Sequence, residues 1–362
     1  MNRLYHLKET LIPNIEANAD YENLDIILLD YNSGDDLEAW AKENLAAYIA
    51  AGRLTYYKTF EPSEYSHSHA KNLVFKLAGN AIVCSINADI FLAKDFAQQV
   101  NRYFSEQTDI FLIPDKVYGE NRGIAGTVCV KKDDFLAVGG FDERMLVYGW
   151  EDVDFQLRLR KLGRTRIGIN SAEMLKCIEH EERYDQKKIQ DKIYAVFTDQ
   201  EHPLSALNPW LLILFKDLTY KASTVRNNKH RRKDMTIEEQ RIDRKTSPFP
   251  YELEENGWEE GTWEQRPGHL VLYNSKSGVL TEYRKALQND RMTLCSSGDD
   301  RVLFRITDAS LLNLAAYMNM DFHNRRILVD NVSGNRIAVN NGEFGKGVVY
   351  RNFNYDEPFL IQ

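Results

Sequence analysis

An α/β fold built on a largely parallel sheet is predicted for the first part of the chain, and two observations predict it. Helical and short apolar segments alternate from residue 3 to about residue 115, the pattern that βα units produce. Two of the apolar segments end in acids, at Asp30 and Asp89. The carboxyl ends of strands are where open α/β sheets bind ligands.

The elements follow in order. Leu4, Leu7, Leu11, Ile12 and Ile15 recur at three- and four-residue spacing, which predicts a helix over residues 3–18. Residues 24–30 form a compact apolar strand, and Asn32-Ser33-Gly34-Asp35-Asp36 is a turn and helix cap. A helix is expected over 36–50, a short strand over 54–57, and a helix over 69–78 stopped by Gly79-Asn80. Residues 81–86 read as a buried strand running into Asn87-Ala88-Asp89. A helix over 94–105 and a strand over 109–114 complete the alternating part.

Past residue 190 the pattern changes. Residues 190–245 read as mostly helical and contain the apolar run Trp210–Phe215 and the basic run Arg226–Lys233. Thr246–Pro250, with two prolines, reads as a linker. Beyond it, strand-like pieces at 269–273, 302–306, 327–329 and 347–350 alternate with Gly- and Asn-rich turns. The expected organisation is therefore an α/β domain over 1–200, a helical segment over 201–245, and a small C-terminal α+β module over 246–362.

Composition bounds the function. Of 362 residues, 43% are hydrophobic and 28% charged, which is ordinary for a globular protein. The formal net charge of -8 argues against a general nucleic-acid binder, which is usually basic. The four cysteines, Cys84, Cys129, Cys177 and Cys295, are widely spaced with no CxxC pair. Buried free thiols in a reducing compartment are the expectation. The first residues lack an apolar signal region, and no run reaches membrane-spanning length. Trp210–Phe215 followed by the basic run offers a contact for an anionic membrane surface; a buried helix followed by a solvated charged face is the slightly better reading.

Three clusters can carry chemistry. Asp89, at a strand end, is placed to bind a hard divalent cation together with substrate phosphates, although an Asp there is more often a turn residue. Gly149-Trp150-Glu151-Asp152-Val153-Asp154 sets three acids within four positions ahead of a helix over 155–162 closed by Gly163. Acids at a helix start suit its dipole, and that bland reading has better than even odds from the residues alone. The sharper one makes an acid the general base for an attacking hydroxyl, with Trp150 as a flat face for a sugar ring. His180 is a good Mn²⁺ ligand where a carboxylate already binds, but a lone His is usually structural.

Taken in order, these pieces resemble a known family. Leu28–Asp35 resembles the first signature of the family-two, GT-A fold glycosyltransferases. Asn87-Ala88-Asp89 resembles their Asp-x-Asp motif. Gly139-Gly140-Phe141-Asp142-Glu143-Arg144-Met145, then Tyr148–Asp154, is the strongest match. It resembles the acceptor-side motif of galactosyltransferase-type and polysaccharide-polymerase-type members. His180 falls where such enzymes often place a metal ligand. The resemblance covers roughly residues 1–200 and implies a GT-A-like mixed sheet flanked by helices.

It also implies roles. Asp30, with Asn32 in the same signature, would hold the uridine of a UDP-sugar donor. Asn87 would bond the ribose. Asp89 and His180 would hold Mn²⁺ or Mg²⁺ on the diphosphate, and Lys71 and Asn72 would assist the phosphates or pack the site. Asp152 would be the base, with Glu151 as the near alternative. A single carboxylate base without a nucleophile implies one displacement, with inversion at the anomeric carbon. The acceptor would be a glycan or a lipid-linked sugar in a surface polysaccharide, handled in the cytoplasm or at the inner membrane face. The family's first strand, ahead of the helix at Asn2-Arg3, has no counterpart here. The expectation is a start upstream of Met1 and two strands left with unpaired edges. A non-catalytic nucleotide- or sugar-binding module is the rival reading. A binder loses nothing with its base, so the intact Glu151-Asp152 pair favours an enzyme. A metal-dependent hydrolase or nucleotidyltransferase fits the acids but leaves residues 139–154 unexplained.

Overall fold

The structure is a computed structural model that describes residues 1–115, 119–178, 192–201, 209–227, 251–253, 258–288, 291–298 and 300–362. It divides into two units. The first comprises Met1–Glu181 with His323–Gln362, and the second Glu182–Phe322.

The first unit is mixed α/β. Strand Ile26–Tyr31 runs parallel to Leu54–Thr59, with Ile26 opposite Leu54 and Tyr31 opposite Thr59. Leu54–Thr59 then pairs antiparallel with Gly347–Arg351, which pairs with Phe359–Ile361. A second sheet has the order Ile82–Ser85, Val128–Lys131, Ile110–Pro114, Thr165–Ile169, and only its last pair is parallel. Ile110–Pro114 is buried throughout, as expected of a strand covered on both faces. Helix His67–Leu77 touches both Ile26–Tyr31 and Ile82–Ser85. Each of these two strands has a single ladder partner among the described residues.

The predicted helices over 3–18 and 94–105 are found as Leu4–Ala17 and Phe96–Glu106. The one expected over 36–50 is two, Leu37–Asn44 and Ala46–Ala50. In Leu4–Ala17 the buried face carries polar Thr10 and Asn14 beside its leucines, and their purpose lies in the candidate site.

The second unit corrects the reading of residues 190–245. Its described part is strand, not helix: Ile193–Thr198, Trp210–Phe215 and Thr219–Asn227. With Glu259–Arg266, His269–Asn274, Leu280–Gln288, Arg291–Ser296 and Val302–Arg305 they close an eight-stranded antiparallel barrel. Phe197, Leu212, Leu214, Tyr220, Trp263 and Leu294 belong to one buried cluster, and Val196, Leu211, Ile213 and Val225 to another with Ala315 and Met318 of helix Ala309–Ser333. Trp210–Phe215 is therefore buried on both faces. Such a strand is a continuous apolar run without alternation, which periodicity cannot tell from a buried helix. Within this run Leu211 to Leu214 are buried, and Trp210 and Phe215 at its ends are half-buried. Residues 228–250, with most of the basic run and the linker, lie outside the described residues. No helix among the described residues is long and apolar enough to cross a membrane.

The piece at 327–329, expected as a strand, lies in helix Ala309–Ser333. The expected module over 246–362 is shared between the units, since residues 323–362 belong with the first. All four cysteines are free, Cys129 and Cys177 buried and Cys84 and Cys295 half-buried; Cys84 and Cys129 face each other across the Ile82–Ser85 ladder.

Candidate functional site

The centre of the site is the start of helix Glu151–Lys161, where Trp150 at the N-cap takes a left-handed backbone (φ 69°). The acids face the positive end of the helix, which favours negative charge. Their surroundings separate them. Glu151 is 3% exposed and accepts from the Gly149 amide at 2.7 Å. Asp152 keeps 23% of its side chain exposed and accepts from Lys71 Nζ at 2.5 Å. Lys71 Nζ also lies 3.8 Å from Glu151 Oε1. Asp154 takes no part, because buried Arg158 and Asn331 donate to it at 2.7 and 2.9 Å.

Burial raises the Asp152 carboxyl to about 6, against the pull of Lys71 and with added repulsion from Glu151. Burial alone would lower the Lys71 ammonium, but the Asp152 and Glu151 charges outweigh it and hold it above its ordinary value. A carboxylate near pH 6 is ionised at neutral pH and still basic enough to take a proton.

Asp89 is held in place by the buried polar stripe of helix Leu4–Ala17. Thr10 Oγ1 donates to the Ala88 carbonyl at 2.7 Å, Asn14 Nδ2 donates to Ile90 O at 2.8 Å, and Asn14 Oδ1 accepts from Leu92 N at 2.7 Å. The carboxamide does for strand Ile90–Leu92 what a neighbouring strand would do. From the other side, Ile178 N donates to Asp89 O at 2.8 Å.

The segment Gly119–Gly126 joins these two clusters. Asn87 Nδ2 donates to Gly123 O at 3.5 Å. A Cβ at Gly123 would run into Cys177 and lie 3.7 Å from Asp89 Oδ2. A Cβ at Gly126 would lie 3.2 Å from Asp152 Oδ2, 3.4 Å from Asn87 Nδ2 and 3.6 Å from Lys71 Nζ. At Gly126 the missing side chain thus leaves a narrow cleft between Asn87, Lys71 and Asp152, while Gly123, packed on Cys177, lies beside Asp89. Among the described residues no three His, Cys, Asp or Glu converge as a metal cage. One carboxylate completed by substrate phosphates is a donor set that suits a hard divalent ion, and Asp89 is the carboxylate that lies beside Gly123.

The other predicted residues stand apart from this cleft or are occupied by internal bonds. Asp30 is 1% exposed; it accepts from Tyr56 Oη at 2.7 Å and Ser33 N at 2.8 Å, and Lys58 Nζ lies 3.2 Å away. Asn32, left-handed at φ 49°, donates to Pro62 O at 2.8 Å. Asn72 is fully buried and braces the Gly139–Met145 motif, bonding both the amide and carbonyl of Phe141 and the Glu143 carboxylate. Gly140 must be glycine there, since its φ is 68° and a side chain would meet Asn72 and Phe344. Trp150 packs with Met145, Ile327 and Leu328, and the Arg325 guanidinium lies 5.4 Å from its ring centroid. His180 lies outside the described residues.

Residues not anticipated also converge here. His67 Nδ1 lies 3.6 Å from Glu151 Oε1. Its ring meets Tyr65 and Tyr148 edge-on, with centroids 4.8 and 5.0 Å away. Burial, reinforced by the Lys71 charge, lowers His67 to about 3, so it is neutral at pH 7. His67 and Lys71 are one helical turn apart, the only local signal that could have linked them.

Residues 113–183, which include the Gly139–Asp154 stretch, match the model of a family described as the N-terminal domain of galactosyltransferase. No curated protein matches the chain. Among solved structures it is similar to a mutant of Drosophila beta-1,4-galactosyltransferase 7 in complex with manganese, UDP-Gal and xylobiose. The identity is 14%, over 46% of this chain and 79% of that one, with a TM-score of 0.30. The catalytic domain of the Drosophila enzyme with xylobiose is similar at 15% identity, over 46% and 78%, with a TM-score of 0.30.

Proposed function

We propose that the chain is an inverting, metal-dependent glycosyltransferase with a GT-A-like first unit, moving a sugar from a UDP-sugar to an acceptor hydroxyl. The observation that carries the reading is the cleft in which Lys71 holds Asp152, beside Asn87 and Asp89, within and next to the segment matching the galactosyltransferase domain.

In this reading Asp152 accepts the proton of the acceptor hydroxyl. The acceptor oxygen attacks the anomeric carbon as the bond to the UDP oxygen breaks, and UDP leaves with the electron pair. One displacement inverts the configuration. Lys71 fixes the orientation of Asp152, and Glu151 contributes the repulsion that keeps it basic. Asp89, with His180, would hold Mn²⁺ or Mg²⁺, which when bound neutralises charge on the diphosphate. Asn87 faces the donor side of the same cleft. Because the matched domain is that of galactosyltransferases, UDP-galactose is the first donor to test and a glycan the first acceptor class.

The test is UDP release from UDP-galactose, UDP-glucose, UDP-N-acetylgalactosamine and UDP-N-acetylglucosamine, with and without Mn²⁺. Water, N-acetylglucosamine, xylose and xylobiose serve in turn as acceptor. Mn²⁺-dependent release with at least one donor supports the reading. UDP binding without release from any donor would leave a binding module, and no binding at all would remove the nucleotide-sugar reading altogether.

A further inference from the structure

We propose that Asn324 is a positioning residue of the transfer reaction, setting the loop that delivers Glu151 and Asp152 to the cleft. The inference rests on the glycosyltransferase reading above. Asn324 is fully buried, and its whole carboxamide is spent on one short loop. Oδ1 accepts from Leu146 N at 2.7 Å, and Nδ2 donates to the carbonyls of Leu146, Tyr148 and Gly149 at 2.8, 3.1 and 2.9 Å.

That loop needs holding. Val147, Gly149 and Trp150 all have positive φ, at 34°, 102° and 69°. A β-branched residue in the left-handed region is an outlier that persists only where its surroundings impose it. Asn324 grips the loop from one side. On the other, His67 N donates to Val147 O at 3.2 Å and Gly149 N donates to Glu151 Oε2 at 2.7 Å. The next two residues after Gly149 are Trp150, the helix cap, and Glu151. The path from Asn324 to the reacting carboxylates is therefore two or three covalent residues long. Asn331, two turns further along the helix, bonds Asp142 and Asp154 instead, neither of which faces the cleft; its role is structural.

The test compares Asn324→Ala and Asn324→Asp with the wild-type chain. Asp keeps the shape but replaces the donor shared by three carbonyls with an oxygen that repels them. Lys161→Met is the control, because Lys161 bonds the carbonyls of Asn331 and Val332 on the same helix without touching the loop. UDP is titrated calorimetrically with Mn²⁺, and kcat and acceptor KM are measured with the best donor and acceptor of the panel above. Both Asn324 variants should keep UDP stoichiometry and bind UDP within about twofold of wild type, yet lose roughly 10²-fold in kcat as the base is misplaced, with acceptor KM raised. Lys161→Met should lower Tm and leave kcat and KM unchanged.

Wild-type kinetics in both Asn324 variants would overturn the proposal. So would a kcat loss that merely follows lost UDP stoichiometry, or one that Lys161→Met reproduces. If Asn324→Ala does not fold, the substitution is repeated in a Val147→Gly background, where the strain it opposes is gone; wild-type kcat and KM there would likewise overturn it. A wild-type chain that releases UDP from no donor would instead remove the glycosyltransferase reading itself.

Discussion

At the scale of single residues, the site is organised by pairs of groups whose surroundings set their charge. Asp152, raised to about 6 chiefly by burial, should impose a kcat/KM that climbs with pH up to about 6 and levels off above it. Asp152→Asn should abolish transfer while UDP still binds; surviving transfer would move the base to Glu151. Glu151→Gln removes a charge that raises Asp152, so the inflection should fall to lower pH. Asp89→Ala should remove the Mn²⁺ dependence of UDP binding, and unchanged Mn²⁺-dependent affinity would take Asp89 out of the metal role. Gly126→Val should fold yet lose activity, because its side chain would fill the space between Asp152, Asn87 and Lys71; activity near wild type would mean that the cleft lies elsewhere. His67 bears on stability. Its folded form stays neutral down to about 3, while an unfolded histidine takes up a proton near pH 6.5. The unfolded state thus binds more protons in that window, and stability falls as pH drops. Asp152 has the opposite sign, since its folded form retains a proton between about pH 6 and about pH 4 that the unfolded chain has released. The two offset over that range. His67→Gln leaves only the second, so its Tm relative to wild type should improve from about pH 7 to about pH 5. Parallel Tm curves would mean that His67 is not held neutral.

At the scale of elements, helix Glu151–Lys161 is fixed by an ion pair nearly without solvent. Arg158 is 1% exposed and bonds Asp154 Oδ2 at 2.7 Å and the carbonyls of Val138 and Gly140 at 2.6 and 2.8 Å. The two carbonyls tie the helix back onto the Gly139-Gly140 turn, so the two halves of the motif are one object. Arg158→Met would strand Asp154 as a buried charge, and a loss of about 3–5 kcal/mol in urea unfolding is expected. A loss near zero would show that water reaches Asp154. The same logic explains why helix Ala309–Ser333 was not legible. From Met320 onward its buried positions include Asp321, Asn324, Ile327, Leu328 and Asn331. Asn324 and Asn331 occupy inward positions to bond the motif, so the apolar period of a helix is broken. Thr10 and Asn14 play that part in helix Leu4–Ala17, whose leucines were regular enough to reveal it anyway.

At the scale of the whole molecule, the first unit is not contiguous in sequence. Gly347–Arg351 pairs with Leu54–Thr59, placing Tyr350 opposite Lys58. Asn340 bonds the carbonyls of Gly139 and Phe141 at 2.8 and 2.7 Å. Residues from 323 on therefore satisfy backbone and side-chain groups that lie between 54 and 154. A chain ended at residue 200, where the family resemblance ends, loses a sheet strand and leaves Asp142, Phe141 and Gly139 short of partners. It should lack a cooperative thermal transition and bind a hydrophobic dye, whereas a sharp transition in circular dichroism would show that the first 200 residues suffice.

The sequence by itself determined the alternating elements up to residue 115, the strand end carrying Asp30, and the helix start carrying Glu151 and Asp152; Asp89, expected at a strand end, lies in the turn between Ile82–Ser85 and Ile90–Leu92. Local spacing encodes such features, because apolar periodicity and caps act over a few residues. The barrel was hidden because Trp210–Phe215, covered on both faces, has no alternation to read. Only the tertiary structure decided which acids face the cleft. Asp142, Asp152 and Asp154 are alike in sequence; the first is paired with Arg144 and the third with Arg158, each with a hydrogen bond from Asn331, while the second is left facing Lys71 and Gly126. A carboxylate's role depends on the charges and water around it, and here those come from residues 81 positions before and 177 positions after, a separation that no local pattern records.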